Sequence, residues 1–451
     1  MKLLGRNAEL ARLERVWGDA ARSPQLVLLT GRRRVGKTAL VAEFARRRRS
    51  MVLTATRESA GVQLSRFAAQ LRALDPAAVV PSTFANWYEA IQFAAAAADR
   101  EPLLVGIDEV PYLDEADPAF GSTIQAAFDH LLHQRSQDAK LMLLLTGSSR
   151  RVMTRLTGPG GPLYGRANLH LRLEPFAFEE VGVFLRSLSA VDRFQTYCAT
   201  GGYPRHLLAW DASATIAANL EGLLRPGSML YDDAALIVNE EFPSGSGFER
   251  ILLAIGRGRH AFGEIATDAA LRIEGPLATL EQIGLVMGER PIGGPKRAHP
   301  HYVITDPYLR FWFGPVARMQ QSIAIGGNPA HVLRQEIWTQ HLAAIFEAEA
   351  RRHAARCVAA GVLPLASVGR WWRTGRNAAE FDVVGWIDDN PAFVGEAKWS
   401  ASERTDLIIQ RIHAKASEIF GDDTLPVATW SRGIRGRRAP LSFTIDDMAK
   451  A

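Results

Sequence analysis

Apolar residues are spaced in two ways along this chain. Short runs with little polar interruption, Gln25 to Thr30, Met51 to Ala55, Leu103 to Ile107, Lys140 to Leu145 and Leu169 to Leu173, read as strands buried on both faces. Between them the spacing changes to a helical repeat: Leu10, Leu13, Val16 and Trp17, then Ala39 to Arg48, Val62 to Leu74 and Phe84 to Ala97. Strand and helix in alternation predict an α/β core on a parallel sheet. Beyond Leu173 the pattern turns helical, with Phe178 to Leu188 and Val191 to Ala199 as the first expected helices. Three short helices follow, Phe248 to Ile255, Phe262 to Ala269 and Pro276 to Ile283, then a hairpin of Leu285 to Arg290 and Tyr302 to Thr305. That order is the order of a winged helix, with Leu277 to Leu285 as the recognition-like helix and residues 291–301 as the wing. Lys296, Arg297, His299 and His301 predict a basic wing tip. A long helix, Val332 to His353, precedes strands at Glu380 to Trp386 and Phe393 to Trp399, joined by the turn residues Asp388-Asp389-Asn390-Pro391.

A chain of 451 residues exceeds what one core holds. The pattern divides it into an α/β core at 1–175, a helical lid at 176–245, a winged helix at 246–315 and a C-terminal α/β domain at 330–451. Pro226-Gly227 and the stretch from Pro243 to Gly247 mark the break near 245.

Between the first strand and its helix lies Gly31-Arg32-Arg33-Arg34-Val35-Gly36-Lys37-Thr38, which fits G-x-x-x-x-G-K-[ST] and runs on into Ala39. A strand feeding a glycine turn that opens a helix aims backbone N–H groups at an anion. Lys37 is expected to reach β- and γ-phosphates and the Thr38 hydroxyl to hold Mg²⁺. The strand from Leu103 ends in Asp108-Glu109. Carboxylates at that end of a parallel strand lie on the edge where ligands bind. Asp108 is expected on Mg²⁺ and Glu109 as the general base toward water. Taken with the resemblances that follow, the expected ligand set is ATP with Mg²⁺.

Other segments resemble known families. Leu3-Leu4-Gly5-Arg6 with Glu9-Leu10, upstream of the phosphate loop, resembles the N-terminal segment of STAND and related AAA-like ATPases. That likeness implies that Gly5 and Arg6 border the nucleotide base. In AAA-type ATPases a polar residue after the third strand senses the γ-phosphate, which implies Ser148 or Ser149, although a serine there also caps the next helix. Pro162-Leu163-Tyr164-Gly165-Arg166, a strand, and Glu174-Pro175-Phe176 are similar to a run in the archaeal-type ATPase family. Arg166 then has two readings, an arginine finger on the transferring phosphate and a structural arginine on the sheet. The turn Gly201-Gly202-Tyr203-Pro204-Arg205 resembles the Gly-x-Pro element of STAND lids, which implies that Pro204 touches nucleotide. The run from Tyr302 to Phe313 is similar to the junction that precedes the C-terminal domain in archaeal-type ATPases.

In the C-terminal domain, Asp382 on one hairpin strand faces Glu396 and Lys398 on the next, with Glu396 and Lys398 two apart and so on one side. The two carboxylates can share a divalent metal, and Lys398 can act on a water. Helix, hairpin and helix in this order resemble the PD-(D/E)XK nuclease core, with Glu347 as the helix-borne acid and Gln410 and Lys415 on the following helix. Phe381 stands where that family often has proline.

Composition changes this picture little. Net charge is +5, but only seven of 53 basic residues are lysine, so bulk charge is weak evidence for nucleic acid. The run Arg432 to Arg438 is an expected basic loop. No apolar run approaches the ~18 residues of a membrane span, the start lacks a signal-peptide core, and Cys198 and Cys357 have no metal-ligand spacing. A cytoplasmic protein without a membrane partner is the expectation. DNA or RNA and a nucleotide-dependent homo-oligomer are the expected partners. Two functions fit: an ATP-regulated nuclease, and an ATP-driven switch with a non-catalytic C-terminal binding module.

Overall fold

The computed structural model describes residues 3–450 except 100, 134–138, 243–246, 296, 376–377, 401–403 and 435–438. It divides into two compact units, one up to Pro175 and one from Phe176. Among the described residues no helix is long and apolar enough to cross a membrane.

The first unit is built on five parallel strands: β1 (Gln25–Gly31), β2 (Ser50–Thr54), β3 (Leu103–Asp108), β4 (Leu141–Gly147) and β5 (Leu169–Leu173). Their order is β2-β3-β4-β1-β5. Every residue of β1, β3 and β4 is buried, as expected of unbroken apolar runs covered on both faces. Helices α1 (Asn7–Ala20), α2 (Lys37–Ala45), α3 (Ala60–Leu74), α4 (Trp87–Ala97), α5 (Val110–Ala116), α6 (Phe120–His133) and α7 (Arg150–Thr157) connect and cover them. On one face Leu143 and Val105 of the strands pack with Phe67, Trp87 and Phe120 of the helices, and Trp87 meets Phe67 and Phe120 edge-on at 5.6 and 5.5 Å. In register, Leu29 of β1 pairs with Thr146 of β4, and Leu145 with Ile107 of β3. The ends of β1, β4 and β3 therefore meet on one edge, with β4 in the middle.

The second unit begins with a departure from the pattern. The helix expected over Phe178 to Leu188 is replaced by turns and one 3-10 turn at Val181–Val183. Gly182 at its centre costs a helix about 1 kcal/mol. Phe176 and Phe178 instead anchor the segment through Phe184 at 5.1 Å and Phe194 at 5.3 Å. Helices α8 (Ala190–Thr200), α9 (Pro204–Ala209), α10 (Ile216–Leu223) and α11 (Met229–Glu241) follow. Next come α12 (Phe248–Gly256), α13 (Phe262–Ala269) and α14 (Glu274–Gln282), then the antiparallel pair β6 (Val286–Glu289) and β7 (His301–Ile304).

The 291–301 segment is anchored near both ends. The Ile292 N–H donates to the Arg370 carbonyl at 2.9 Å. A Cβ on Gly293 would meet the Trp386 ring at 1.9 Å, and His301 stacks on Trp372 at 4.7 Å. The segment thus lies on the C-terminal sheet. Arg297 and His299 are exposed, while Lys296 lies outside the described residues.

The chain continues through α15 (Pro307–Phe311), a π turn at Trp312–Val316, α16 (Gln320–Ala324) and α17 (Glu336–Ala359). The Asp306 carboxylate caps α15 by accepting from the Tyr308 and Leu309 N–H groups. The long helix α17 starts later than expected, because Pro329–Arg334 forms a 3-10 turn before it. A second sheet follows: β8 (Ser367–Arg373), β9 (Ala379–Ile387) and β10 (Asn390–Lys398) are antiparallel. After α18 (Thr405–Phe420), β11 (Val427–Ser431) and β12 (Ser442–Thr444) add parallel strands, and α19 (Ile445–Met448) ends the fold. Asp388 and Asp389 both have positive φ, 46° and 62°, as a two-residue hairpin turn requires. Trp371, Phe381, Val394 and Ile412 form the core under α18, and Ile292 packs against it. The 435–438 part of the expected basic loop lies outside the described residues.

Candidate functional site

The first unit's site is made where β1, β4 and β3 end. At Gly31 a Cβ would meet the Leu173 carbonyl oxygen at 2.4 Å, so only glycine lets the turn leave β1 here. Arg34 and Gly36 take positive φ of 73° and 96°, which reverses the chain into α2 and its first residues, Lys37, Thr38 and Ala39. Lys37 is buried, and its ammonium donates to the carbonyls of Gly31 (2.8 Å) and Arg32 (3.2 Å) and to Ser148 Oγ (2.8 Å). Ser148 in turn donates from Oγ to Glu109 Oε1, and its N–H donates to Glu109 Oε2 at 3.2 Å. Lys37, Ser148 and Glu109 thus form one hydrogen-bonded line. Thr38 Oγ1 donates to Asp108 Oδ2 at 2.7 Å, and Thr146 Oγ1 donates to Asp108 Oδ1. Thr146 had no role in the sequence pattern. Its place as the polar end of an apolar run was the available clue.

Glu109 has φ 61° at the start of α5. A non-glycine residue there costs about 1–2 kcal/mol, and such strain collects at functional sites. Ser149 caps α7 by accepting from the Val152 N–H at 3.3 Å.

The loop is braced from behind by Arg6, which is 5% exposed. Arg6 donates to the carbonyls of Val35 (3.1 Å) and Glu174 (2.6 Å) and pairs with Glu9 at 2.9 Å. Gly5 before it has φ 74°. A cationic cluster adjoins the loop. Burial and the nearby Arg32 charge push the Arg150 guanidinium down to about 10. Burial acts against the Glu174 carboxylate, yet Arg150, Arg32 and Arg172 together hold it below its usual range. The surroundings of Gly31 to Lys37 therefore favour an anion. The set fits a nucleotide with Mg²⁺: an ammonium and N–H groups for phosphates, a hydroxyl and a carboxylate for the cation.

Arg166 is not brought to this edge. It lies just before β5, whose Leu169 pairs with Val27 near the start of β1, on the opposite edge of the sheet. There its guanidinium grips Asp129 of α6 with Nε–O contacts of 2.9 and 3.2 Å and an Nη–O contact of 3.0 Å. The fork-to-carboxylate geometry makes it a structural arginine within its own subunit. Pro204 opens α9 in the second unit. Gly201 and Gly202 before it have φ 65° and 73°, and a Cβ on Gly202 would meet the Phe176 carbonyl at 1.9 Å.

The C-terminal residues gather around β9 and β10. Val383 pairs with Gly395, so Asp382 and Glu396 are next in the ladder. Asp382 Oδ2 accepts from the Ala397 N–H at 2.9 Å. Glu396 Oε1 is held by Lys398 at 3.0 Å and by Arg411 of α18 at 2.8 Å. Arg411 is a partner that no motif announced. Among the described residues no group of three or more His, Cys, Asp or Glu side chains is arranged to hold a metal ion. Glu396 Oε1 thus already meets two cations. Lys415 donates to the Glu380 carbonyl.

Burial, with the neighbouring Asp382 charge, pushes the Glu347 carboxyl up to about 7, and burial pushes Asp382 up as well. The folded state therefore binds the Glu347 proton more tightly than the unfolded chain, whose value is 4.5. Stability from this group is full below that value and falls as pH rises toward about 7. Glu347→Gln is expected to raise the unfolding midpoint at about pH 8 and leave it unchanged at about pH 4. A lower midpoint at the higher pH would reverse the assignment.

Residues 3–209 match a family described as an ATPase domain predominantly from Archaea. This N-terminal region belongs to that ATPase family. Residues 312–409, beyond the ATPase domain, match a family described as archaeal and bacterial proteins of unknown function. The chain is 24% identical over 414 residues to an uncharacterized protein of Methanocaldococcus jannaschii, covering 88% of this chain and 89% of that one. The fold is similar to that of the Walker-type ATPase of Pyrococcus abyssi, with a TM-score of 0.52 and 18% identity over 69% of this chain and 96% of that one. The Aeropyrum pernix ORC2 protein, in ADPNP–ADP complexes, aligns with a TM-score of 0.45 and 14% identity over 71% and 96%. The parallel sheet and loop of the ATPase domain are thus a P-loop ATPase fold.

Proposed function

We propose that this chain binds ATP with Mg²⁺ at residues 31–39, hydrolyses it, and uses the nucleotide state to govern its C-terminal region. The line Lys37–Ser148–Glu109, beside Thr38–Asp108, carries the ATP reading. Lys37 and the N–H groups of residues 32–36 hold the phosphates. Thr38 and Asp108 hold Mg²⁺, which takes few protein ligands and keeps waters. Bound Mg²⁺ supplies charge neutralisation on the phosphates. Glu109 takes the proton of the attacking water. Because Lys37 and Glu109 share Ser148, a phosphate that draws Lys37 away changes what Glu109 accepts from, and Ser148 thereby senses the γ-phosphate. Gly5 and Arg6 lie beside the base, and the Pro204 turn belongs to a lid at 176–245. Arg166 reaches phosphate only on a neighbouring copy's ATP. Sedimentation with and without a non-hydrolysable analogue tests this, and a monomer in both would remove that role.

The region at 246–315 is a winged helix whose wing, docked on β8, relays movement rather than reading bases. The C-terminal region at 330–451 is nuclease-like and acts on nucleic acid. Asp382 and Glu396 are its metal ligands, Lys398 acts on the water, and Glu347 is the helix-borne acid. The order α17, β8–β9–β10, α18, β11 supports this reading. The Arg411 contact on Glu396 favours a second one, a non-catalytic binding module moved by the ATP switch. Incubation with Mg²⁺ or Mn²⁺ and mixed DNA and RNA separates them. Cleavage that vanishes in Asp382→Ala and Lys398→Ala is the expected result for a nuclease. Identical behaviour of wild type and both variants on every substrate would end that reading.

A further inference from the structure

Helix α8 joins two features of the second unit that the proposed function uses separately, the turn from Gly201 to Pro204 and the motif residues Glu347 and Lys398. Ser189 caps its start by accepting from the Asp192 N–H, and Gly201 ends it in a left-handed conformation. His206 Nδ1 lies 3.0 Å from the carbonyl of Thr200, the last residue of α8. A carbonyl only accepts, so the ring nitrogen donates and ties the turn back to the helix end.

Phe194, Tyr197 and Cys198 stand at i, i+3 and i+4, on one face of α8. All three meet α17. The Phe194 ring lies edge-on to Phe346 at 5.7 Å. The Tyr197 hydroxyl donates to Glu349 Oε1 at 3.2 Å, and the Cys198 carbonyl accepts from His341 Nε2 at 2.9 Å. Phe194 also packs on Trp399 at 4.7 Å, and Trp399 on Phe346 at 5.4 Å. Three rings thus close a triangle between α8, α17 and the end of β10. Phe194 and Phe346 are fully buried, and Trp399 is half-buried. Phe346 immediately precedes Glu347, and Trp399 immediately follows Lys398. The docked 291–301 segment bonds to β8, two strands from β10, whereas α8 reaches both motif-bearing elements directly.

Close packing gives this triangle its consequence. A ring set between two others cannot shift without displacing one of them. Phe346 and Glu347 share a turn of helix, and one peptide joins Lys398 to Trp399, so each motif residue moves with its aromatic neighbour. From Phe194 to Gly201 is about 10 Å of capped helix, a single short rod. A shift of that rod changes how Glu347 and Lys398 stand to each other. We propose that α8 is the lever through which nucleotide state reaches the C-terminal site, with Phe194 as its positioning residue. This deepens the proposed regulation, and it rests on the reading that puts the Pro204 turn in the lid.

Fluorine resonance of the full chain labelled with fluorotryptophan tests the lever, with a non-hydrolysable ATP analogue as the probe. Trp399→Phe identifies the Trp399 signal by its loss. In wild type that signal is expected to shift as the analogue saturates, with the midpoint that calorimetry gives for binding. Phe194→Leu, which keeps an apolar side chain but removes the ring, should still bind the analogue and lose the shift. Phe194→Met is a second variant of the same kind, and the wild-type measurement needs no core substitution. A Trp399 signal that stays in place while the analogue binds overturns the lever, and is what a merely structural triangle gives. An equal shift in wild type and in a folded Phe194 variant assigns the movement to another route and also overturns it. Absence of analogue binding in wild type overturns the ATP reading together with the lever, so calorimetry tells the two failures apart. Cleavage is not part of the readout, so the result is the same whether or not the C-terminal region cuts nucleic acid.

Discussion

Glu109→Gln is expected to slow ATP turnover by about 10²–10⁴-fold while ATP still binds. The side chain stands at the end of a buried strand, held in a left-handed backbone conformation and fixed by two hydrogen bonds from Ser148. Glutamine is nearly isosteric, and its carbonyl oxygen can still accept from Ser148 Oγ. The substitution therefore leaves the line from Lys37 largely in place. What it removes is basicity: an amide cannot take the proton of an attacking water. The expected pattern is a large fall in steady-state phosphate release with ATP affinity nearly unchanged, so that the variant accumulates bound ATP. Phosphate release by a coupled assay and equilibrium titration with a fluorescent ATP analogue give the two quantities. Unchanged turnover would remove Glu109 as the base. Loss of binding along with turnover would mean that its bonds to Ser148 shape the loop instead.

The difference between what the sequence held and what it hid is physical. The loop from Gly31 to Thr38 was legible because its chemistry is local: two glycines, a lysine and a hydroxyl within eight residues of chain. The five strands were legible because burial on both faces demands unbroken apolar runs. Strand order was not, since all these runs look alike. The insertion of β4 between β1 and β3 is what lets Ser148 meet both Lys37 and Glu109 and sets Thr146 on Asp108. Partners from distant elements were hidden for the same reason. Asp129 on Arg166 and Arg411 on Glu396 sit on helix faces where a charged residue carries no pattern. The segment from Phe178 to Leu188 has helical spacing, but Gly182 and the paired phenylalanines outweigh it. In the 291–301 segment the basic residues marked the tip, but nothing in the pattern showed that Ile292 packs against the C-terminal core.

Lys37→Ala should weaken ATP binding by at least about 30-fold and remove most of the stabilisation that comes with it. Lys37 touches both the turn leaving β1, through the carbonyls of Gly31 and Arg32, and Ser148 beyond β4. Truncating a buried, hydrogen-bonded charge at a binding site costs about 2–5 kcal/mol, or roughly 30- to 5,000-fold in affinity. Arg32 and Arg150 cannot replace it, because Glu174 already draws them into its own cluster. In wild type, ATP at a hundred times its Kd should add about 2.7 kcal/mol of stability. For a domain of this size that corresponds to a rise of about 5–11 °C in Tm. In Lys37→Ala the same ATP concentration should add less than about 0.9 kcal/mol and move Tm by no more than about 3 °C. Comparing the two proteins without ATP separates the loss of the ligand from damage to the loop, since the truncated side chain leaves the Gly31 and Arg32 carbonyls without their donor. A nucleotide-dependent rise in Tm equal to that of wild type would mean that the phosphates are held by the arginine cluster and not by the loop.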